Sequence, residues 1–416
     1  MEIVKRGNVF KELLGYRNYC KLLLADLISR FGDSVDSIAY GWMVYLLTGS
    51  KLLLGTLFAV NALPGIIFSP FSGVIVDRFS KKKVIIIGDL GRGIVVLLTG
   101  VMFYFNILRP WHLFIFTFIN SIFEALTSPA KTVLNTLILP KDMMFKASSF
   151  STSVNSFGEL IGMALAGVII ATLGVAGAII IDSFTFIMSA LIIGIMKVEE
   201  RLEKNNEMNI KNSFKDLKEG VLYVKCERLI VIYIIMAALA NFCLTPLNVL
   251  MAVYVKDILN KGPETLSILG IGLMLGIIIG GIVISQIGDK FKKSTLAISG
   301  FLLLGLNYAL MSLPGFFNNI FYPVAIATVA YFSIGFGAPL VSTPVRTFIL
   351  TNTPRDILGR VTALMSMCCL SAMPLGGALT GVVSQYTSIE MMFLIMGIAI
   401  VIISLIPLLD REFRKE

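Results

Sequence analysis

Apolar residues along this chain come in long uninterrupted runs, without the polar interruptions of a half-buried surface helix. Gly93 to Ile107 contains no charge at all. Runs of this kind need a lipid solvent, and a helix crosses about 30 Å of hydrocarbon in roughly 20 residues. Counting such segments predicts twelve spans, at 19–47, 53–76, 83–106, 111–131, 148–172, 175–196, 228–255, 265–288, 294–314, 319–343, 358–384 and 390–408. The expected fold class is an all-α membrane protein made of two six-helix bundles, residues 1–196 and 228–416. A charged linker at 197–227 joins them, with room for a surface helix over Phe214 to Tyr223.

Composition agrees with that reading. The 416 residues are 56% hydrophobic and only 15% charged, with a mean hydropathy of +0.86, against about 25% charged residues in soluble domains. The net charge of +9 does not point to nucleic acid, because the basic residues fall in short loops between apolar runs. Of the 35 Lys and Arg residues, 29 lie in the amino terminus, the carboxy terminus, the central linker and every second loop. Four lie in the opposite loops, and Arg30 and Arg92 lie deep within spans, while Lys21, Lys83, Lys131, Arg228 and Arg360 sit within three residues of a span end and are counted with the adjoining loop or terminus. That bias predicts that both termini and the linker are cytoplasmic in a multi-pass inner membrane protein. The first apolar segment is too long for a signal peptide core, so no cleavable leader is expected.

Five cysteines, Cys20, Cys226, Cys243, Cys368 and Cys369, show no metal or redox spacing. There is no G-x-x-x-x-G-K-S/T phosphate loop, so this chain is not expected to hydrolyse ATP. The sole histidine, His112, sits beside Trp111 at a predicted interface, and no nucleophile–base pair is discernible. Neither an enzyme nor a cofactor is expected.

Charged residues inside the spans are the candidate chemistry, since each costs at least ~2.5–3.5 kcal/mol at the membrane centre. Asp26, Arg30, Asp33 and Ser37 fall on one stripe of the first span, roughly 60° wide, with Asp36 to its side. A polar stripe at that depth reads as a cavity wall. Arg30 can neutralise Asp26 or Asp33 but not both, and an Asp26–Arg30 ion pair one turn apart is the structural alternative. Glu124 and Glu159 lie near mid-depth with no base within a turn, and Asn120 and Asn155 each precede them by four residues on the same face. Asp33 and Glu124 are the expected proton-coupling acids, with Asp36 and Glu159 behind them. Asp89 and Arg92 read as a structural pair, and Asp182 reads as a helix–helix contact.

The second half repeats the first. Ser128-Pro129-Ala130-Lys131-Thr132 recurs as Thr343-Pro344-Val345-Arg346-Thr347, 215 residues on, and Pro140-Lys141-Asp142 recurs as Pro354-Arg355-Asp356, 214 on. Lys146 pairs with Arg360 and Asp77 with Asp289 at similar offsets. Each half holds an even number of spans, so the repeats are parallel and predict a substrate cavity between them near mid-membrane.

Gly73-Val74-Ile75-Val76-Asp77-Arg78-Phe79-Ser80-Lys81-Lys82-Lys83 resembles the G-x-x-x-D-R-x-x-R/K-R/K loop of the major facilitator superfamily. A degenerate copy is Gly288-Asp289-Lys290-Phe291-Lys292-Lys293, with Ser285 at the leading Gly position. Leu27-Ile28-Ser29-Arg30-Phe31-Gly32-Asp33, Ala62-Leu63-Pro64, Asp89-Leu90-Gly91-Arg92, Ser128-Pro129-Ala130-Lys131 and Leu358-Gly359-Arg360-Val361 are similar to the branch of macrolide-efflux pumps and the enterobactin exporter. The resemblance implies a secondary transporter that exports small amphipathic organic compounds by alternating access, with protons, cargo and the bilayer as partners and a monomer as the working unit. It implies a gating role for Gly73, Asp77, Arg78, Lys82 and Asp289, with Asp77 facing the start of the span near Leu358. Siderophore or lysolipid export is the alternative cargo, and a non-transporting membrane receptor the alternative of another class. Gly158, Gly162 and Gly167 partly match the antiporter pattern G-x-x-x-G-P-x-x-G-G, with Met163 and Ala166 at mismatched positions. Ala372, Gly376, Gly377 and Gly381 are the counterpart. Small-residue helix packing explains both sets equally well.

Overall fold

The computed structural model describes residues 13–140, 143–198, 200, 219, 221–316, 321–410 and 413. Eleven long helices account for nearly all of them: α1 (Arg17–Thr48), α2 (Lys51–Arg78), α3 (Lys81–Tyr104), α4 (Pro110–Ile138), α5 (Met144–Gly194), α6 (Arg228–Val253), α7 (Pro263–Ile287), α8 (Lys293–Leu310), α9 (Phe321–Asn352), α10 (Arg355–Val383) and α11 (Ile389–Leu405). The described residues contain no strand. Nine of these helices are long and apolar enough to cross a membrane. The helix α11 is apolar but shorter, and α1 stands apart because Asp26, Arg30, Asp33 and Asp36 interrupt its apolar run.

Helix ends follow local chemistry. Proline opens α4 and α7 at positions where no backbone donor is needed. Ser80 caps α3 by accepting from the Lys83 amide at 3.3 Å. The predicted spans at 148–172 and 175–196 emerge as one helix, α5, broken at Gly174, where φ of 72° and ψ of 173° leave the helical region. Only glycine takes that conformation without strain, so α5 has a first arm, 144–173, and a second, 175–194. Its apolar stretch of 49 residues is far longer than one crossing requires.

The chain divides into two compact units. Met1–Met43 with Leu63–Met208 forms unit 1, and Val44–Ala62 with Asn209–Glu416 forms unit 2. In unit 1, α3 packs against α4 and α5. Its core gathers Leu22 and Ala25 of α1, Ile85 of α3, Ala130 and Leu134 of α4 and Ile193 of α5. A second cluster, with Leu13, Tyr19, Leu23, Leu139, Met143 and Ala147, closes the end where α4 connects to α5.

Unit 2 packs α9 against α7 and α8, α8 against α11, and α6 against α10 and α11. Aromatic contacts fix its ends: Tyr233 lies on Phe348 and Phe413, and Tyr254 and Tyr308 both lie on Phe393. The beginning of α2 belongs to this unit and meets α10 backbone to backbone. A Cβ on Gly381 would sit 2.9 Å from the Leu52 carbonyl oxygen, and one on Gly377 would sit 3.2 Å from that of Gly55. The glycines matched to the antiporter pattern near residue 377 therefore serve a helix contact. Nearby, Tyr45 donates to Asp257 at 2.5 Å, and the Lys256 ammonium lies 4.9 Å from the Tyr45 ring centre.

Both units carry large exposed apolar side chains. Ile87, Phe157, Phe184, Ile195, Val329 and Leu375 are each at least 57% exposed. In a helical protein this surface belongs against acyl chains. Multi-pass insertion thus accounts for side chains that would otherwise be a large exposed hydrophobic patch.

Candidate functional site

Unit 1 holds a polar cavity of about 380 Å³. Its walls come from α1 (Asp26, Ser29, Arg30, Asp33), α3 (Arg92), α4 (Glu124, Thr127, Ser128, Lys131, Thr132, Asn135, Thr136) and the first arm of α5 (Ser148, Ser151, Thr152, Asn155). The helical period explains why these residues share a wall. On α4, positions 124, 128, 131 and 135 recur at three or four residues, as do 148, 151 and 155 on α5. Of the residues singled out from sequence, Asp26, Arg30, Asp33, Glu124 and Asn155 line the cavity, while Asp36, Asn120 and Glu159 lie off its wall.

Two cations from other helices organise these acids. The Arg92 guanidinium donates to Asp33 Oδ1 at 3.0 Å and lies 3.9 Å from Glu124 Oε2. Its Nε donates to Asn120 Oδ1 at 3.3 Å, and its charge sits 4.1 Å from the centre of the Phe186 ring. The Lys131 ammonium contacts Asp26 at 3.0 Å and Asp89 at 3.8 Å. Asp89 is fully buried, and its Oδ2 accepts from Ser189 at 2.6 Å. The side chains of Arg92, Lys131 and Asp89 are 10, 19 and 0% exposed, and this burial strengthens each pair and makes an unpaired charge costly.

The structure corrects several expectations. Asp26 pairs with Lys131, not with Arg30 one turn away. Arg30 is exposed, and no ion pair within 4.0 Å joins it to another described residue. Lys131, counted from sequence as a loop charge, lies inside α4 with its side chain only 19% exposed. Asp89 and Arg92, read as a pair with each other, reach across to α1, α4 and α5 instead. Glu124, without a base nearby in sequence, has Arg92 facing it from α3. Lys131 was not legible as an interior charge, because the predicted span ends at 131 whereas α4 runs seven residues further, to Ile138.

Some polar atoms are left over. The Oδ1 atoms of Asn135 and Asn155 in the cavity wall are buried without a hydrogen-bond partner, as is Oδ1 of Asp36. Asp182 is 1% exposed, bonds Thr185 at 3.1 Å and packs on Gly32 of α1, so it does hold a helix contact. Among the described residues no three His, Cys, Asp or Glu side chains gather as a metal site.

At the start of α3, Glu200 accepts from the backbone amides of Lys81 (2.7 Å) and Lys82 (2.9 Å) and from Ser80 Oγ (3.1 Å). Lys82 Nζ donates to the carbonyls of Gly194 and Met196 at 2.7 and 2.6 Å. An acid at a helix start and a cation at a helix end both oppose the local helix dipole. The basic loop is thus tied to the end of α5 through Lys82. Side chains of 69–78, which include Gly73, Asp77 and Arg78, and that of Asp289 lie outside the described set, as does most of the linker helix expected over Phe214 to Tyr223.

Comparison with known proteins adds a family and several relatives. The family model for the Major Facilitator Superfamily matches residues 22–377. Macrolide efflux protein A of Streptococcus pyogenes is 26% identical over 374 residues, covering 88% of this chain and 89% of that protein. The multidrug efflux pump Tap of Mycolicibacterium fortuitum is 20% identical over 406 residues, covering 95% and 96%. Among solved structures, the nucleoside transporter NupG superposes with a TM-score of 0.75 at 12% identity, covering 96% and 99%. A bacterial homologue of the iron transporter ferroportin in its inward-facing state superposes at 0.74 with 14% identity, covering 94% and 98%.

Proposed function

The chain belongs to the Major Facilitator Superfamily, and from that premise we propose that it exports small amphipathic organic compounds by alternating access, exchanging them for protons. It is a membrane transporter and not an enzyme. On this reading both termini and the basic loops face the cytoplasm, the working unit is a monomer, and two bundles, 1–196 and 228–416, move about the linker 197–227. The names of the efflux relatives support the direction of transport and the cargo class.

One observation carries the coupling chemistry: Asp33 and Glu124 share the single guanidinium of Arg92 at unequal distances, 3.0 and 3.9 Å. Asp33 holds the cation, while the Glu124 side chain is 52% exposed and loosely held. A proton on Glu124 leaves the Arg92–Asp33 pair intact, so this carboxyl can load and unload at small cost. A proton on Asp33 would strip Arg92 of its close partner. Glu124 therefore serves as the exchangeable site and Asp33 as the group that fixes Arg92.

A proton falling through an assumed ~150 mV releases about 3.5 kcal/mol, which sustains a roughly 300-fold gradient of a neutral cargo exchanged one for one. The alternative cargo, an anionic siderophore or lysolipid, would use Arg30, the exposed cation of the cavity. The test is a resistance panel of macrolides, dyes and siderophore stress in a pump-deficient host, repeated with Glu124→Gln and Asp33→Asn. Both variants should lose export while still reaching the membrane. Undiminished export by both would overturn the assignment of these acids.

A further inference from the structure

We propose that Ser342, Thr343, Arg346 and Thr347 of α9 form a second binding site, which receives the oxyanion of an amphiphile, a carboxylate or a phosphate. The site lies on unit 2, outside the unit 1 cavity. Its role toward cargo rests on the proposed export function, while its existence can be tested by binding alone.

Exposure is the first support. All four side chains are exposed, whereas Val345, Phe348 and Ile349 of the same turns are buried in the core of unit 2. At 100° per residue the four fall within an arc of about 140°. Arg346 stands six residues, and Ser342 ten residues, before the end of α9 at Asn352. At ~1.5 Å per residue they are about 9 and 15 Å inside the helix end. Acyl chains at that depth penalise a charge among hydroxyls, so this face belongs to water.

The internal repeat is the second. An offset of 215 residues maps Ser342, Thr343, Arg346 and Thr347 onto Thr127, Ser128, Lys131 and Thr132. All four of those line the polar cavity of unit 1. The two halves thus present the same stripe, a cation among hydroxyls, and satisfy it differently. In unit 1, Lys131 holds Asp26 and Asp89, and Thr127 and Thr132 donate to the carbonyls of Glu124 and Ser128. In unit 2, no hydrogen bond or ion pair joins the side chain of Ser342, Thr343, Arg346 or Thr347 to another described residue. The helices beside the stripe offer no counter-ion either. The helix α9 packs against α7 and α8, and residues 265–288 and 294–352 contain no Asp or Glu.

Chemistry then selects the ligand. Four unengaged donors on one face, one of them a guanidinium, match an acceptor that carries negative charge. Arginine presents a planar fork of N–H groups that meets two oxygens of a carboxylate or a phosphate at once. Ser342 and Thr343 stand one turn before Arg346 on the same side of the helix, where their hydroxyls reach the same oxyanion. A cationic group gains nothing from Arg346.

The test uses the purified full chain and one naphthalene fluorophore carrying a carboxypropyl, phosphonopropyl, hydroxypropyl or trimethylammoniopropyl tail. Binding is read by fluorescence titration in detergent, and export in phosphatidylcholine proteoliposomes under an imposed pH difference. The carboxylate and phosphonate compounds should bind tightest. Arg346→Gln should raise their Kd and KM about tenfold, the size of one charge-assisted hydrogen bond, and leave those of the hydroxyl compound unchanged. Arg346→Lys should restore part of the loss, because it keeps the charge without the fork. Arg346→Gln should melt with the parent; a lower melting temperature would mean that Arg346 holds the fold instead of a ligand. Added phosphatidylglycerol separates two sources of the oxyanion. A bound headgroup would raise the KM of the carboxylate compound more in the parent than in Arg346→Gln, whereas equal changes assign the site to cargo. If Arg346→Gln leaves the Kd of the carboxylate and phosphonate compounds unchanged, or shifts all four compounds alike, the oxyanion site is overturned while export stands. If Arg346 governs binding but no compound is carried above protein-free vesicles, the site stands and the export reading fails.

Discussion

Replacing Lys131 with methionine would keep most of the side chain's volume and remove the one charge that holds two acids. Asp26 loses its 3.0 Å partner, and Asp89, fully buried, keeps only Ser189 on Oδ2. Removing one member of a buried ion group typically costs about 3–5 kcal/mol, and proton uptake by the stranded carboxyls limits the loss. For a unit of this size that is a fall in melting temperature on the order of 10 °C. Asp26→Asn leaves Lys131 paired with Asp89 and should cost less. The triple variant Asp26→Asn, Lys131→Met, Asp89→Asn removes all three charges and should recover much of the stability lost by Lys131→Met alone. The assay is thermal unfolding of the purified protein in detergent, followed by circular dichroism. If Lys131→Met melts within a degree or two of the parent, or if the three changes simply add, Lys131 is not the centre of a buried ion group and its pairing with Asp26 and Asp89 is wrong.

Two further outcomes follow from contacts outside the cavity. Gly381→Ala places a Cβ 2.9 Å from the Leu52 carbonyl oxygen. It should destabilise the packing of α2 on α10 by about 1–3 kcal/mol, read as a lower melting temperature of the purified protein in detergent; an unchanged melting temperature would mean that the two helices do not meet there. Glu200→Gln should weaken the cap on α3 by about 1 kcal/mol, read as faster trypsin cleavage at Lys81 to Lys83 in membranes. Unchanged cleavage would mean that Glu200 does not hold that loop.

Much of this molecule can be read from local order. Runs of about 20 apolar residues need no tertiary information, because lipid solvation acts on each helix separately. The lopsided placement of Lys and Arg and the repeat between Ser128-Pro129-Ala130-Lys131 and Thr343-Pro344-Val345-Arg346 are equally plain in the chain. So was the family, through the loop from Gly73 to Lys83, and so was the polar stripe on α1, since the helical period alone puts Asp26, Arg30 and Asp33 together.

Partner choice was not legible. The sequence offered Arg30 to Asp26 because they are one turn apart, and it offered Arg92 to Asp89 for the same reason. Helix packing brought Lys131 to within 3.0 Å of Asp26 and Arg92 to within 3.0 Å of Asp33 across helix boundaries. Ion-pair energy in a poorly screened interior depends on separations of a few ångströms. Those separations are set by where α1, α3 and α4 cross, which no spacing along one helix records. The same holds for the first half of α2, which chain order assigns to the first bundle and whose close glycine contacts attach it to α10. Sequence determined which segments are apolar enough for a membrane and which residues are charged; only the tertiary structure decided which charges meet.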